Sequence, residues 1–409
     1  MTGGKKGHNI KKKIKVLWLC PYPINEFSDN FITINDKKKI HPASWIYNLS
    51  NELSKSSEIE LHILTESKAV YENHIFKSEG IYFNIIKSPY LIPFINRSIP
   101  SFFRIHLITN YWFSKIKILK YINRINPDII HSHGTEAQYS LIALESKYKT
   151  VISIQGLMNL YNNYINLYDK KVLVNENFVL KKGRYFGSRT AWVDDYIKSV
   201  NPEAIIFKMQ EAMNPVFFGE IKYNKDKNIL FVGALEKRKG IDYLIEAFNK
   251  VSKKHKDYRL LLIGSGEKIY IENLKTQLRN FGIIDKVDFL GHKNSKEIKF
   301  YHDCSKIFVF PTLIDNSPNS VAEAMVSGLP VIASRVGGIP SMIQDYKNGI
   351  LVPSRNYKVL AEKIIEIIED KELRNKIKIN AFKKAKRRYN PKKVAESTIK
   401  NYKKILRLK

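Results

Sequence analysis

Apolar residues in this chain come in two rhythms. Short, largely apolar runs at 15–21, 60–64, 81–86, 128–134, 151–156, 204–207, 228–233, 258–263, 287–290, 307–310 and 330–333 suit buried strands. Between them, at 42–55, 241–251, 269–280, 357–369, 371–388 and 391–406, apolar side chains return every three or four positions, the spacing of one helix face. Strands alternating with helices imply a parallel, doubly wound α/β sheet. The rhythm lapses at 210–227, around Pro215 and a run of charges, which is where a hinge belongs. The expected division is a first Rossmann-like domain over 14–210, a second over 222–388 and a closing helical segment over 389–409. Residues 1–13 read as a basic tail.

The segment 307–334 gives the chain its most specific local pattern. It reads strand, loop, helix, strand. Ser317 and Pro318 suit an N-cap followed by proline at the first helical position, and Gly328 and Pro330 close the helix. A helix starting there leaves the amides of Asn319, Ser320 and Val321 without helical acceptors, which suits a phosphate. Asp315 in the loop and Glu323 in the helix flank that anion site. Carboxylates accept hydrogen bonds from hydroxyls, so a nucleotide sugar accounts for acids beside an anion. An ordinary capped helix with an exposed Glu accounts for the spacing alone.

Other candidates stand upstream. The loop 234–240 carries Lys237, Arg238 and Lys239 before Gly240, a phosphate site or a solvated loop. Gly264 and Gly266 follow a strand and open a helix, without the rest of a dinucleotide fingerprint. His131 and His133, two apart on one strand, point to the same side, as structural residues or as a metal pair without an evident third ligand. Phe186 to Trp192 reads as the opening of a short helix, where Arg189 either grips a phosphate or acceptor acid or decorates the surface.

The 310–334 segment, with Val336, Gly337, Gly338, Ile339 and Pro340 and then 348–353, resembles the signature region of the retaining group-1 glycosyltransferases, glycosyltransferase family four. That resemblance implies the GT-B fold, two Rossmann-like domains facing a cleft. It assigns Asp315, where the family usually has Glu, to the donor sugar and Glu323 to the nucleotide ribose. Lys239 becomes the phosphate-binding lysine. Arg238 stands in for a family arginine whose place is taken by Ala234. Gly264 falls at the turn beside the nucleotide, Ser320 and Val321 at the helix start. His133 is the histidine facing donor sugar and acceptor, with His131 as the alternative. The family's glycine pair after the first strand is replaced at 39–44 by a stretch containing Ala43 and Ser44, and no catalytic residue is assigned there.

The implied reaction moves a hexosyl unit, with retention, from a nucleotide diphosphate sugar to a glycan or lipid-linked acceptor, in cell-surface polysaccharide or lipopolysaccharide synthesis. Neither a metal nor another cofactor is expected. A nucleotide-sugar epimerase of the same fold and a basic nucleic-acid-binding protein are the alternatives. Composition bears on the partners. The 409 residues carry 69 Lys+Arg against 39 Asp+Glu, a formal charge of +30. Either A+T-rich coding bias or a polyanionic partner explains that excess. No nucleic-acid motif accompanies it, so no nucleic acid is expected. An anionic membrane surface fits the stretch 97–120, where Phe102, Phe103, Tyr111, Trp112 and Phe113 alternate with Arg97, Arg104, Lys115, Lys117 and Lys120; a helix packed on its own sheet with a solvated basic face fits it too. Two cysteines and the absence of an 18-residue apolar run suggest a cytoplasmic protein, peripheral on the inner face of the plasma membrane.

Overall fold

Strands covered on both faces need apolar side chains on both, and most strands here meet that condition. The computed structural model describes residues 12–24, 27, 44–88, 111–161, 167–221 and 227–408. These residues divide into two units. The first runs to Gly187 and adds Val200–Met209 and Ala395–Lys409; the second comprises Ser188–Ser199 and Gln210–Val394.

The first sheet contains β1 (Ile14–Leu19), β2 (Ile59–Ser67), β3 (His74–Ser78), β4 (Ile81–Lys87), β5 (Ile129–His133), β6 (Thr150–Ser153), β7 (Tyr185–Ser188) and β8 (Ile205–Lys208). Its order is β3-β4-β2-β1-β5-β6-β7-β8. Only β3 is antiparallel to its neighbour among the pairings from β3 to β7. Its helices are α1 (Ser44–Ser54), α2 (Trp112–Ile125), α3 (Gln138–Leu144), α4 (Met158–Tyr161) and α5 (Leu167–Lys182), while α6 (Ala191–Val200) lies almost wholly in the second unit. α2 buries Ser114, Ile118, Ile122 and Ile125, spaced by three and four.

The second sheet contains β9 (Asn228–Val232), β10 (Arg259–Ile263), β11 (Val287–Gly291), β12 (Ile307–Phe310), β13 (Val331–Ser334) and β14 (Ile350–Val352). All its pairings are parallel, in the order β11-β10-β9-β12-β13-β14. The helices are α7 (Ile241–Lys254), α8 (Lys268–Asn280), α9 (Ser295–Asp303), α10 (Asn319–Val326), α11 (Tyr357–Glu369) and α12 (Lys371–Arg388); α13 (Pro391–Arg407) follows and returns to the first unit from Ala395. In α7, Ile241, Leu244, Ile245, Phe248 and Val251 form one buried stripe. The chain winds away in opposite directions from β9 and β12, and likewise from β1 and β5. Loops at the carboxyl ends of such neighbouring strands are the binding positions of open α/β sheets.

Three expectations change. β3 escapes the search for apolar runs because His74, Phe76 and Ser78 are half-buried and Ile75 and Lys77 exposed, an edge strand with one covered face. Residues 186–188 belong to β7, and the helix expected there starts at Ala191. The first domain does not run unbroken to 210: Ser188–Ser199 joins the second unit. Its hydrogen bonds explain why. Thr190 Oγ1 donates to Asn316 Oδ1 at 2.7 Å and the Ala191 amide to Ser341 Oγ at 3.0 Å.

Candidate active site

In the second unit the loops after β9 and β12 are laced together. Leu313 N–H and Thr312 Oγ1–H both donate to the Arg238 carbonyl, at 2.8 and 3.1 Å. Gly240 is what lets them approach: its φ is +72°, and a Cβ there would lie 2.0 Å from the Pro311 carbonyl oxygen. The lacing brings Lys239 Nζ to 2.5 Å from Asp315 Oδ2, with both side chains largely buried. Arg238 lies 3.9 Å from the same oxygen, but its guanidinium is engaged with Glu236 at 2.7 Å and the Ile314 carbonyl at 3.3 Å. Of the two cations, Lys239 is the one directed at Asp315.

The Asp315 loop is fixed from its other side as well. Gly338 N–H donates to the Asp315 carbonyl at 3.0 Å, and a Cβ on Gly337 would lie 2.1 Å from that same oxygen. Asn316, buried, takes the Thr190 hydroxyl. These contacts hold Pro318 in an extended conformation, so α10 starts one residue later than expected. Pro318 is the cap residue and offers no side-chain acceptor. Ser317, expected to cap, turns its hydroxyl to the Met342 sulfur at 3.7 Å. Val321 N–H is taken by the Pro318 carbonyl at 3.2 Å, so Val321 supplies no open donor. The amides of Asn319 and Ser320 have no acceptor among the described residues. A helix start with open amides carries partial positive charge.

Glu323 stands in α10 with its side chain half-buried. Its carboxyl has no hydrogen-bond or ion-pair partner among the described residues, and burial alone pushes its pKa up to about 8. Gly264, expected beside a nucleotide, has a packing reason of its own: φ is +143°, and a Cβ would lie 1.8 Å from the Gly233 carbonyl oxygen. Arg189 is not surface decoration. It is buried in a salt bridge with Glu211, which is buried too.

In the first unit, His133 ends β5 and is buried. Its ring stacks on His131, with centroids 4.1 Å apart, and lies 4.6 Å from Trp18 of β1. The two histidines share one side of the strand, as alternation requires. His131 has its ring nitrogens on Tyr402 Oη and Ser153 Oγ, each at 2.6 Å. Desolvation, and then the charge His133 carries when protonated, keep its pKa well below the ordinary value. A metal therefore has no nitrogen of His131 to bind. The loop after β5 is anchored by buried Glu176, which accepts from Thr135 Oγ1 at 3.0 Å and from the amides of Met158 and Asn159 at 3.0 and 2.9 Å.

Trp18, Glu176, Thr190, Asn316 and Tyr402 were not singled out from the sequence. Each acts through a partner distant in the chain, so no local spacing marks it. Ala43, Arg97, Phe102, Phe103 and Arg104 lie outside the described residues, as do 1–11 of the expected tail and 222–226 of the expected hinge.

Residues 215–384, which include Lys239, Asp315 and Glu323, match the family model described as glycosyl transferases group 1. An uncharacterized glycosyltransferase of Methanocaldococcus jannaschii is 31% identical over 339 residues, covering 80% of this chain and 85% of that protein. Sucrose-phosphate synthase from Thermosynechococcus elongatus superposes with a TM-score of 0.78 at 16% identity, covering 96% of this chain and 99% of the other. Anabaena HepE, solved in complex with UDP-glucose, superposes with a TM-score of 0.70 at 13% identity, covering 96% and 100%. The fold is GT-B, and with a relative this similar along most of its length, the chain belongs to the group 1 glycosyltransferases.

Proposed function

We propose that the protein is a retaining, metal-independent hexosyltransferase that draws on a nucleotide diphosphate sugar and glycosylates a glycan or lipid-linked acceptor. The observation that carries this reading is the cluster at the carboxyl ends of β9 and β12: Lys239 against Asp315, with the amides of Asn319 and Ser320 and the carboxyl of Glu323 unpartnered among the described residues. In the proposed mechanism the barrier is charge separation, an oxocarbenium-like sugar forming as the diphosphate leaves. Lys239 and the two amides neutralise the departing diphosphate. Glu323 accepts from the ribose hydroxyls. Asp315 orients the donor sugar, and His133 is assigned to the sugar and acceptor. HepE binds UDP-glucose, which supports a donor of this chemical class.

The test is whether nucleoside diphosphate accumulates from the donor only when an acceptor is supplied, with the anomeric configuration of the product read by NMR. Conversion of the donor sugar without any acceptor would instead indicate an epimerase. Because the proposed phosphate site consists of a lysine and backbone amides, transfer is expected to persist in EDTA. Complete loss of activity, restored by Mn²⁺, would contradict that site.

The membrane reading rests on α2. Trp112 and Ile116 are 53% and 50% exposed, and with exposed Lys120 they recur every four residues on one face. Tyr111, just before the helix, is buried by contrast, and Lys115 is paired with Glu145. Among the described residues no helix is long and apolar enough to cross a membrane. We expect the protein to sediment with anionic liposomes at low salt and to be released at high salt. Changing Lys115, Lys117 and Lys120 to Gln should reduce sedimentation; unchanged binding would remove α2 from the contact.

A further inference from the structure

Tyr402, on the last helix of the chain, sits beneath the paired histidines of β5. Its hydroxyl oxygen is 2.9 Å from Trp18 Nε1 and 2.6 Å from His131 Nδ1. On the other side of that ring, His131 Nε2 is 2.6 Å from Ser153 Oγ, and Ser153 Oγ is 3.8 Å from the Met209 sulfur. Trp18, Tyr402, His131 and Ser153 are all buried.

The donors and acceptors leave one arrangement in which every group is satisfied. An indole N–H can only donate, so Trp18 donates to the Tyr402 oxygen. The Tyr402 proton then needs an acceptor, and His131 Nδ1 provides it by being unprotonated. The ring proton therefore resides on Nε2 and goes to Ser153 Oγ, whose own proton turns to the Met209 sulfur. In the reverse arrangement the Tyr402 proton would be buried without an acceptor, which is costly in a site closed to water. Gly187 leaves room for this end of the chain, since a Cβ there would lie 2.7 Å from both Ser153 Oγ and Met209 Sδ.

We propose that Tyr402 is a positioning residue: it fixes His131 as the neutral Nε2–H tautomer, so that His131 and Trp18 form a rigid, uncharged seat for His133. The relay ends on the stacked face, 4.1 Å from the His133 ring on one side and with Trp18 4.6 Å from it on another. A ring at His131 that flipped, or took up a proton, would displace His133 or set a like charge against it. Trp18 and His131 are partners in register on adjacent strands, so the seat is built from the sheet itself, and α13 supplies only the hydroxyl that orders it. The part concerning transfer rests on the reading of His133 as a site residue; the tautomer does not.

The experiment is a ¹⁵N-histidine long-range correlation spectrum of the whole protein, with transfer kinetics on variants. In the wild type, His131 should show protonated Nε2 and bare Nδ1 at neutral pH. An Nδ1–H tautomer or an imidazolium overturns the proposal with no variant needed. Tyr402→Phe should lose that fixed pattern and lower kcat roughly tenfold or more, with KM for the donor and affinity for the nucleoside diphosphate unchanged. If the tautomer is lost in Tyr402→Phe but kcat stays normal, Tyr402 does not position the site. If instead His133→Ala transfers at the wild-type rate, the reading of His133 fails, separately from the tautomer.

Discussion

Replacing Glu323 with Gln is expected to weaken nucleoside diphosphate binding by about 1.5–3 kcal/mol, roughly ten- to a hundredfold in Kd. Gln keeps the size and loses the charge-assisted acceptor. The side chain's raised pKa sharpens the expectation. Burial pushes the carboxyl up to about 8, which favours the protonated form in the free protein. Ribose hydroxyls donating to the ionised form would favour that form and lower the pKa in the complex. Binding should then release a proton, and affinity should rise with pH until about 8, where the free protein is itself ionised. Titration calorimetry in buffers of different ionisation enthalpy reads the proton directly. The same shift has a consequence for stability. The folded state prefers the protonated acid, so stability attributable to this group is present at low pH and is lost as pH rises from the ordinary carboxyl pKa of 4.5 toward 8. Glu323→Gln should remove both the proton release and that part of the pH dependence. Wild-type affinity in the Gln variant would show that Glu323 does not meet the ribose.

Asp315→Asn is expected to behave differently, and the structure says how. Asp315 is salt-bridged to Lys239. Neutralising the acid releases the ammonium to a phosphate, so the bare diphosphate should bind as well as to wild type, or more tightly. Transfer should nevertheless fall roughly tenfold or more, because the group assigned to the donor sugar has lost its charge. Calorimetry with the diphosphate beside a transfer assay makes the comparison. A loss of diphosphate affinity as severe as that of Glu323→Gln would contradict this division of roles.

What could be read in the sequence follows from the range of the forces involved. The strands of the second unit announce themselves as runs such as Ile307–Phe310 because both faces are buried. α7 announces itself because its buried stripe is local to the helix. Asp315 and Glu323 stand out as members of a patterned segment and Lys239 as part of a separate basic loop, but the Lys239–Asp315 contact does not show in either, since it joins two loops 76 residues apart. Ser317 failed as a cap for a related reason. The local preference for serine lost to a backbone clamp supplied by Gly337 and Gly338, which forces the loop to leave Pro318 extended. Arg189 shows the same limit of local reading. An arginine beside a loop invites a functional role, yet its partner Glu211, 22 residues further on, turns it into a buried structural pair. The setting of the histidines was the least legible part. β1, β6 and α13 each contribute one polar side chain around the two histidines of β5, and the separation from Trp18 to Tyr402 is 384 residues.

In the proposed reading, the second unit holds a nucleoside diphosphate through Lys239. A thermal-shift series with nucleoside diphosphates, nucleotide sugars and the matching monophosphates tests it most directly, because a ligand that binds only the folded state raises Tm by mass action. At least one diphosphate and its sugar conjugate should raise Tm at concentrations up to roughly millimolar, the usual range for such substrates. The monophosphate should do so less, and Lys239→Ala should abolish the rise. No shift with any diphosphate, or an equal shift in Lys239→Ala, would contradict it.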